Sequence, residues 1–446
     1  MVKYLIKEAN KFVSIEYRKI LKNIGWLFFD RVFRMGMGLV VGAWLARYLG
    51  PSDFGTFNYL LATIGIFMPF ASLGLESMIV KELVEHPQRI STIMSTSITL
   101  RLLAGMLSFS LCVGIFFFLK HDDMRTFYVG MILALTLFAQ ALVSMELYYQ
   151  SQVASKVAVI SQSIAYVLVN IIKVILILVK AELMAFAVVT TLEMALGGLF
   201  MIGAFKKITK QRLTLMVDWI LAKKLLSKGW PLIFSGFMIM IYMRIDQIML
   251  GEMINDYQVG TYSAALKLSE IWYIIPTIIC NSFFPSIIEA KKLGEETYFR
   301  KIQNLFNILF ILSFVIAIVV TIFSDLIIHI LYGTQYKDAA TILSIHIWTS
   351  VFVFVGVGSS SFFIVENLQL KTFTRTALGA VVNIGLNVIL IPKYLAVGAA
   401  VATLISQFLS SYAFDLLSPK TYVLFRMKSR AFLAINYISQ LLKKRQ

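Results

Sequence analysis

Residues 303–325 read QNLFNILFILSFVIAIVVTIFSD, with no charged side chain before Asp325. About 20 mostly apolar residues in a helix cross the hydrocarbon core of a bilayer. Eleven more apolar runs accompany this one, and none shows the alternation of a strand, so all are predicted to be helices. The twelve predicted spans lie at about 24–48, 54–79, 91–119, 126–150, 157–179, 183–205, 229–251, 257–287, 303–325, 340–365, 371–391 and 394–418.

The composition supports an all-α, polytopic membrane protein. Of 446 residues, 59% are hydrophobic and 15% are charged, and the mean hydropathy is +0.80. Soluble proteins carry about 25% charged residues, so an ordinary soluble enzyme is excluded. The net charge of +17 would suggest nucleic acid as the partner of a soluble protein, but in a membrane protein it bears on topology. We therefore expect no nucleic-acid partner.

Lysine and arginine predict the orientation. The segments assigned to the cytoplasmic side hold 29 of them, against 6 on the opposite side. This positive-inside bias, with an even number of spans, predicts a multi-pass protein with both termini in the cytoplasm. No small-residue cleavage site follows the first apolar run, so the N-terminal region is not predicted to be a cleaved secretory signal. The external loops are short, so no external soluble domain is expected.

Two stretches of sequence occur twice. Leu49–Phe57 (LGPSDFGTF) resembles Leu250–Tyr262 (LGEMINDYQVGTY), and residues 169–190 align with 382–403 at 7 of 22 positions. The chain is therefore predicted to be two six-helix lobes related by a parallel repeat, an arrangement found in transporters. The predicted domains are an N-terminal lobe at 1–205, a basic cytoplasmic linker at 206–228, a C-terminal lobe at 229–418 and a basic cytoplasmic tail at 419–446. The tail is interpreted either as a helix on the anionic inner leaflet or as charge that fixes the topology.

Charged residues within spans are functional candidates, because they are costly in lipid. Lys267 with Glu270, and Asp30 with Arg34, are spaced to pair on one helix face. The other cations are predicted to face partners across the bundle or a wet cavity, where a phosphate group could bind. Glu76 and Glu146 are expected at the cytoplasmic interface and solvated. The predicted substrate-binding cations are Arg31, Arg34, Arg101, Lys173, Arg244 and Lys267, and the predicted coupling acids are Glu193, Asp246 and Glu270.

Signals for other chemistry are absent from the sequence. It holds no Gly-rich phosphate loop, and its four histidines and two cysteines lack metal-binding spacing. We therefore expect no ATP hydrolysis, no cofactor, no metal and no catalytic residue.

Several blocks carry a family resemblance. Residues 46–55 (ARYLGPSDFG) resemble the signature that follows the first helix of the polysaccharide-biosynthesis flippases, within the multidrug/oligosaccharidyl-lipid/polysaccharide exporter superfamily. Residues 72–76 (SLGLE), 244–251 (RIDQIMLG) and 260–265 (GTYSAA) are similar to the end of helix 2, helix 7 and the start of helix 8 in that family. Residues 383–403 resemble its helix 11–12 region, so the likeness extends over nearly the whole chain.

This resemblance implies two six-helix lobes around a central cationic cavity. It implies a substrate of undecaprenyl diphosphate carrying an oligosaccharide repeat such as O-antigen, moved across a bacterial inner membrane. Arg31 is the position that matches an arginine in helix 1 of related lipid II flippases. A glycan polymerase and a chain-length regulator are the further partners expected beside membrane lipids.

The hypothesis from sequence is an alternating-access flippase, not an enzyme. The first alternative is a cation-coupled multidrug exporter of the same superfamily, which would favour acids over cations in mid-membrane. The second is a membrane glycan polymerase or ligase, which would need a sizeable external loop.

Overall fold

The computed structural model describes the backbone of residues 2–210 and 216–443, and the side chains of residue 23, 25–210 and 216–433. Within these ranges the chain is helical and contains no strand, which confirms the all-α prediction. Three groups of predicted cytoplasmic charges lie outside the described side chains: the N-terminal lysines with Arg18, Arg212 of the linker, and the basic cluster at 443–445.

Seventeen helices and four short 3-10 turns make up the described chain. The first eight helices are α1 (Val2–Ser72), α2 (Glu76–Glu85), α3 (Ile90–Lys120), α4 (Met124–Ala134), α5 (Thr136–Val143), α6 (Met145–Ser151), α7 (Ser155–Leu178) and α8 (Leu183–Thr209). The others are α9 (Trp219–Met253), α10 (Asp256–Glu270), α11 (Ile274–Leu293), α12 (Glu295–Ile322), α13 (Ser324–Tyr332), α14 (Asp338–His346), α15 (Thr349–Val365), α16 (Gln369–Ser411) and α17 (Pro419–Lys443). The 3-10 turns are Pro87–Arg89, Ile271–Tyr273, Thr334–Tyr336 and Ala413–Leu417.

Ten helical segments of the described chain are long and apolar enough to cross a membrane. Two of them, Gly25–Glu85 and Gln369–Leu417, each contain two of the predicted spans, so the ten segments accommodate all twelve. Large apolar side chains remain exposed on them, with Phe118 80% exposed and Leu107 64% exposed. Such surface is expected where a helix faces lipid rather than water. The protein is thus a multi-pass membrane protein.

Backbone breaks divide the two longest helices where the sequence predicts span boundaries. In α1, Gly50 has φ 73° and ψ 169°, a conformation that favours glycine. Pro51 follows and starts the next helical stretch, a position where its missing N–H costs nothing. In α16 the break is at Leu395, with φ 54° and ψ −138°, three residues after Pro392.

The fold divides into two compact units. The described residues of Met1–Tyr48 and Leu60–Phe237 form the first unit, and those of Leu49–Tyr59 and Met238–Gln446 form the second. The short stretch at Leu49–Tyr59, which carries the first copy of the repeated motif, therefore belongs to the second unit although it comes early in the chain.

Within the second unit the two copies of the repeated motif pack against each other. A Cβ added at Gly55 would lie 1.7 Å from the backbone oxygen of Asp256, and one added at Gly260 would lie 1.9 Å from that of Pro51. Hydrogen bonds flank this crossing: the Thr56 hydroxyl donates to the Asp256 carboxylate at 2.6 Å. The repeated glycines are thus explained by close backbone approach.

Candidate functional site

Two of the predicted cations lie on α1 in the first unit. Arg34 Nε donates to Asp30 Oδ1 at 2.8 Å, which agrees with the expected pairing on one helix face. Ser163 also donates to Asp30 at 2.8 Å, and the guanidinium lies 5.1 Å from the ring centre of Tyr166. Arg31 is exposed and forms no ion pair with any residue that the structure describes. Arg31 is therefore the more available of the two arginines.

Arg101 of α3 is buried, with 2% of its side chain exposed. Nη2 donates to Glu76 Oε1 at 3.1 Å, and Nη1 donates to the Ser144 hydroxyl at 3.1 Å. The expectation that Glu76 is merely solvated is wrong, because its half-exposed carboxylate pairs with Arg101. Glu146 likewise accepts a hydrogen bond from Gln162 at 3.0 Å. These acids were misjudged because their partners come from other helices.

Lys173 of α7 pairs with Glu193 of α8. The distance from Nζ to Oε2 is 3.4 Å, and the side chains are 13% and 26% exposed. One predicted substrate cation and one predicted coupling acid are therefore partners in the same unit. Since each offsets the charge of the other, either role would require this contact to open.

In the second unit, Glu270 pairs with Arg244 rather than only with its helical neighbour. Arg244 Nη1 lies 3.6 Å from Glu270 Oε2. Lys267 is exposed and places Nζ 4.6 Å from the ring centre of Phe54. Glu270 is also within electrostatic range of Lys267. The prediction of a Lys267–Glu270 cluster thus has to include Arg244.

Asp246 of α9 is the predicted acid whose carboxylate is surrounded by neutral donors. It is 4% exposed. Asn387 donates to Oδ1 at 2.6 Å, Tyr262 donates to Oδ2 at 2.6 Å, and the Thr403 hydroxyl also donates to Oδ2. No nitrogen of a described basic side chain lies within 4.0 Å of the Asp246 carboxylate oxygens. A buried carboxylate that has hydrogen bonds but no counter-ion is a natural place for a small cation to bind.

A cavity of about 350 Å³ adjoins Asp246 inside the second unit. Acids and aromatic hydroxyls line it together with serines and a glutamine, and its ionisable lining residues are Asp246, Glu270, Tyr242, Tyr273, His346 and Arg375. We call this cavity the C-terminal chamber. Tyr242 and Ser410 both line the chamber and share a hydrogen bond of 3.2 Å.

Arg375 was missed as a membrane-embedded cation. It is the fifth residue of the predicted eleventh span but is not among the substrate-binding cations predicted from sequence, and its side chain is only 8% exposed. Nη1 donates to the Gly356 oxygen at 3.3 Å, and the guanidinium lies 5.5 Å from the Phe363 ring centre. The available signal was its place inside the predicted span 371–391, where a charged side chain is costly.

The C-terminal tail contributes a buried ion pair to the second unit. Lys428 and Asp415 are fully buried, and Nζ donates to Asp415 Oδ2 and to the Ser411 oxygen, both at 2.6 Å. Burial lowers the pKa of Lys428 to about 8, although Asp415 opposes the shift. Lys428 therefore does not serve as a leaflet-facing charge, whereas Arg426 and Arg430 of the same helix are exposed.

Comparison with known proteins identifies the family. The model described as "Polysaccharide biosynthesis protein" matches residues 20–291, more than half of the chain.

The chain belongs to the polysaccharide biosynthesis protein family.

The MatE family model also matches this polysaccharide biosynthesis protein, over residues 231–389. A "Probable flippase AglR" of Haloferax volcanii is 30% identical over 178 residues, which cover 39% of this chain and 37% of that protein. A "Putative O-antigen transporter" of Shigella flexneri is 23% identical over 340 residues, covering 71% of this chain and 78% of the relative. The Haloferax match therefore spans little more than a third of its relative.

Solved structures establish the fold of this family member. "Lipid II flippase MurJ, inward closed conformation" aligns with a TM-score of 0.69 at 14% identity, covering 94% of this chain and 93% of that one. An inward-facing multidrug resistance MATE family transporter of the MOP superfamily aligns with a TM-score of 0.66 at 14% identity, covering 91% and 99%. The family resemblance and the membrane fold expected from sequence are thus confirmed.

Proposed function

We propose that this protein is a flippase that translocates a lipid-linked oligosaccharide across the membrane by alternating access. The family membership supports this, and the observation that carries it is the set of cations embedded in the spans of a multi-pass chain. The finer proposal is an undecaprenyl-diphosphate-linked repeat unit in a bacterial inner membrane, with both termini cytoplasmic. A glycan polymerase and a chain-length regulator remain proposed partners.

The diphosphate is proposed to bind the more accessible cations first. Arg31 and Lys267 are exposed within their units, and Arg34 and Arg244 are 26% and 29% exposed. Arginine forks and lysine ammonium groups both bind phosphate oxygens well. Lys173 can take part when it leaves Glu193. Arg101 is proposed to act indirectly, because its buried ion pair with Glu76 holds α3 against α2.

Asp246 is proposed as the principal coupling group. It is buried, accepts three hydrogen bonds and has no ion pair with a described residue, so a proton or a sodium ion would neutralise it. Glu193 and Glu270 are proposed as secondary coupling acids, because each already has a basic partner. Cation binding at Asp246 would then bias one conformation over the other, as differential affinity requires.

The test is export by charge-neutralised variants in the native host after deletion of the chromosomal copy. Arg31→Ala and Lys267→Ala should each reduce surface polysaccharide to about a tenth or less at matched membrane expression. Lys337→Ala, which removes an exposed cation from a loop, is the matched control and should export normally. Full export by both Arg31→Ala and Lys267→Ala would contradict the proposed substrate site.

A multidrug exporter is the second candidate, favoured by the MatE match over residues 231–389. The same deletion host, carrying the protein at high expression, should then resist cationic drugs. Unchanged drug sensitivity together with restored polysaccharide would exclude this candidate.

A further inference from the structure

Among the described residues that line the C-terminal chamber, two buried charges have no hydrogen-bonded counter-ion. One is Asp246, whose described partners are all neutral. The other is Arg375, whose one hydrogen bond within the described chain goes to the neutral Gly356 oxygen. A buried charge without compensation is strongly destabilising, so each needs the field of an opposite charge nearby.

The groups behind Arg375 act on its charge only through space, because Asp415 is near enough to be felt but forms no hydrogen bond with it. Asp415 is the acid closest in its influence, but its Oδ2 is held by Lys428 at 2.6 Å. That pair is fully buried and has no net charge. Arg375 itself lines the C-terminal chamber.

Asp246 and Arg375 both lie on the wall of the C-terminal chamber. Tyr242 lies one helical turn before Asp246 on α9 and is within electrostatic range of both Asp246 and Arg375. The other titratable groups on the chamber wall are Glu270, Tyr273 and His346. Glu270 is offset by Arg244 at 3.6 Å and by Lys267, and His346 Nδ1 is 2.9 Å from the Ser269 hydroxyl. Asp246 and Arg375 are thus the charges of the chamber wall without an ionic partner at contact distance.

We propose that Arg375 is a positioning residue that sets the affinity of Asp246 for the coupling cation across the C-terminal chamber. This inference rests on the proposed function, in which Asp246 binds that cation. When Asp246 is empty, its carboxylate and the guanidinium stabilise each other. When a cation occupies Asp246, the chamber carries one excess positive charge, and Arg375 favours release. Arg375 thereby keeps the site weak enough to unload.

The experiment uses the full-length protein in lipid nanodiscs and measures the melting temperature. Two titrations are used. In the first, sodium chloride replaces choline chloride so that the ionic strength stays constant, and in the second, the pH is varied without sodium. Ligand that binds the folded protein raises the melting temperature, so the midpoint of the rise reports affinity. Wild type should respond to one probe, and Asp246→Asn should abolish that response.

Arg375→Gln should shift the midpoint about tenfold towards lower sodium, or about one unit towards higher pH, as loss of one nearby unit charge predicts. Arg375→Lys keeps the charge and should retain the wild-type midpoint. Lys291→Gln, which removes a cation of the same unit that does not line the chamber, should also retain it. Arg375→Met provides a second neutral variant if the glutamine variant does not fold.

The outcomes separate the two proposals. If Asp246→Asn abolishes the response but both neutral Arg375 variants keep the wild-type midpoint, the role of Arg375 is wrong and the coupling role of Asp246 stands. If the response survives in Asp246→Asn, or wild type responds to neither probe, the coupling role of Asp246 is wrong and that of Arg375 falls with it.

Discussion

In the first unit, Arg34, Arg101 and Lys173 each form an ion pair with a carboxylate, whereas in the second unit Asp246 is buried among neutral donors and Arg375 faces a chamber. Charged side chains within the fold are therefore arranged in two ways, since the second unit holds these two separated charges beside closed pairs such as Lys428–Asp415. A pair at contact distance holds helices together, but a separated pair leaves each charge able to respond to a ligand. The proposed cation-responsive chemistry therefore belongs to the second unit. In the first unit, Arg31 is the proposed substrate cation that has no ion pair among the described residues.

The largest effect is expected from neutralising Asp246, the buried acid surrounded by neutral donors. Asp246→Asn keeps the size and planar shape of the side chain but removes the charge and replaces one accepting oxygen with a donating amide group, so export should fall to about a tenth or less of wild type. Surface polysaccharide at matched expression is the measurement. Asp325→Asn, at an exposed acid of the same unit, is the control. Normal export by Asp246→Asn would remove the distinction between the two units.

A large loss of stability is expected where the repeated motifs cross in the second unit. Gly55→Ala would place a methyl group against the backbone of Asp256, so the free energy of unfolding should fall by about 3 kcal/mol. Gly385→Ala meets nothing within 4 Å and serves as the matched control. Thermal unfolding in detergent measures both variants. Equal stability of the two would show that the crossing is not tightly packed.

The buried Lys428–Asp415 pair should give the second unit its own pH dependence. Because the pKa of Lys428 is lowered to about 8 in the folded state, the unfolded chain binds more protons than the folded chain between about pH 8 and 10.5. Stability relative to the double variant Asp415→Asn/Lys428→Met should therefore rise as pH increases through this window. Melting temperatures at pH 7.5, 9 and 10 test this. A difference in melting temperature that stays constant or decreases with pH would contradict the burial and desolvation of Lys428.

The smallest effect is expected at the Lys173–Glu193 ion pair of the first unit. Lys173→Gln and Glu193→Gln should each lower the free energy of unfolding by about 1–2 kcal/mol, since each leaves a partly buried charge alone. The double variant should recover about 1 kcal/mol of that loss. Strictly additive effects in this double-mutant cycle would mean that the pair does not couple the two helices.

The sequence predicted the spans well because burial in lipid requires long apolar runs. It also separated spans 1 and 2 at the Gly50–Pro51 break. The pairing of Arg101 with Glu76 could not be predicted, since the acid lies on another helix and only tertiary packing brings it near. Arg375 was not selected as a candidate because a cation near the end of a span is indistinguishable from a loop charge in a linear pattern.

The membership of Leu49–Tyr59 in the second unit was also beyond sequence reasoning. Repeated glycines at Gly55 and Gly260 indicated a duplication, but not that the two copies would contact each other. Chain order favoured placing the first copy with its own half. The contact becomes evident only when the backbone positions are known.

The most direct measurement is translocation of a fluorescent undecaprenyl-diphosphate-linked oligosaccharide in proteoliposomes with an imposed sodium or proton gradient. Wild type should move the labelled lipid in response to one gradient, and Asp246→Asn should not. Transport of a cationic dye by wild type, with no movement of the labelled lipid under either gradient, would contradict a lipid-linked oligosaccharide flippase driven from the second unit.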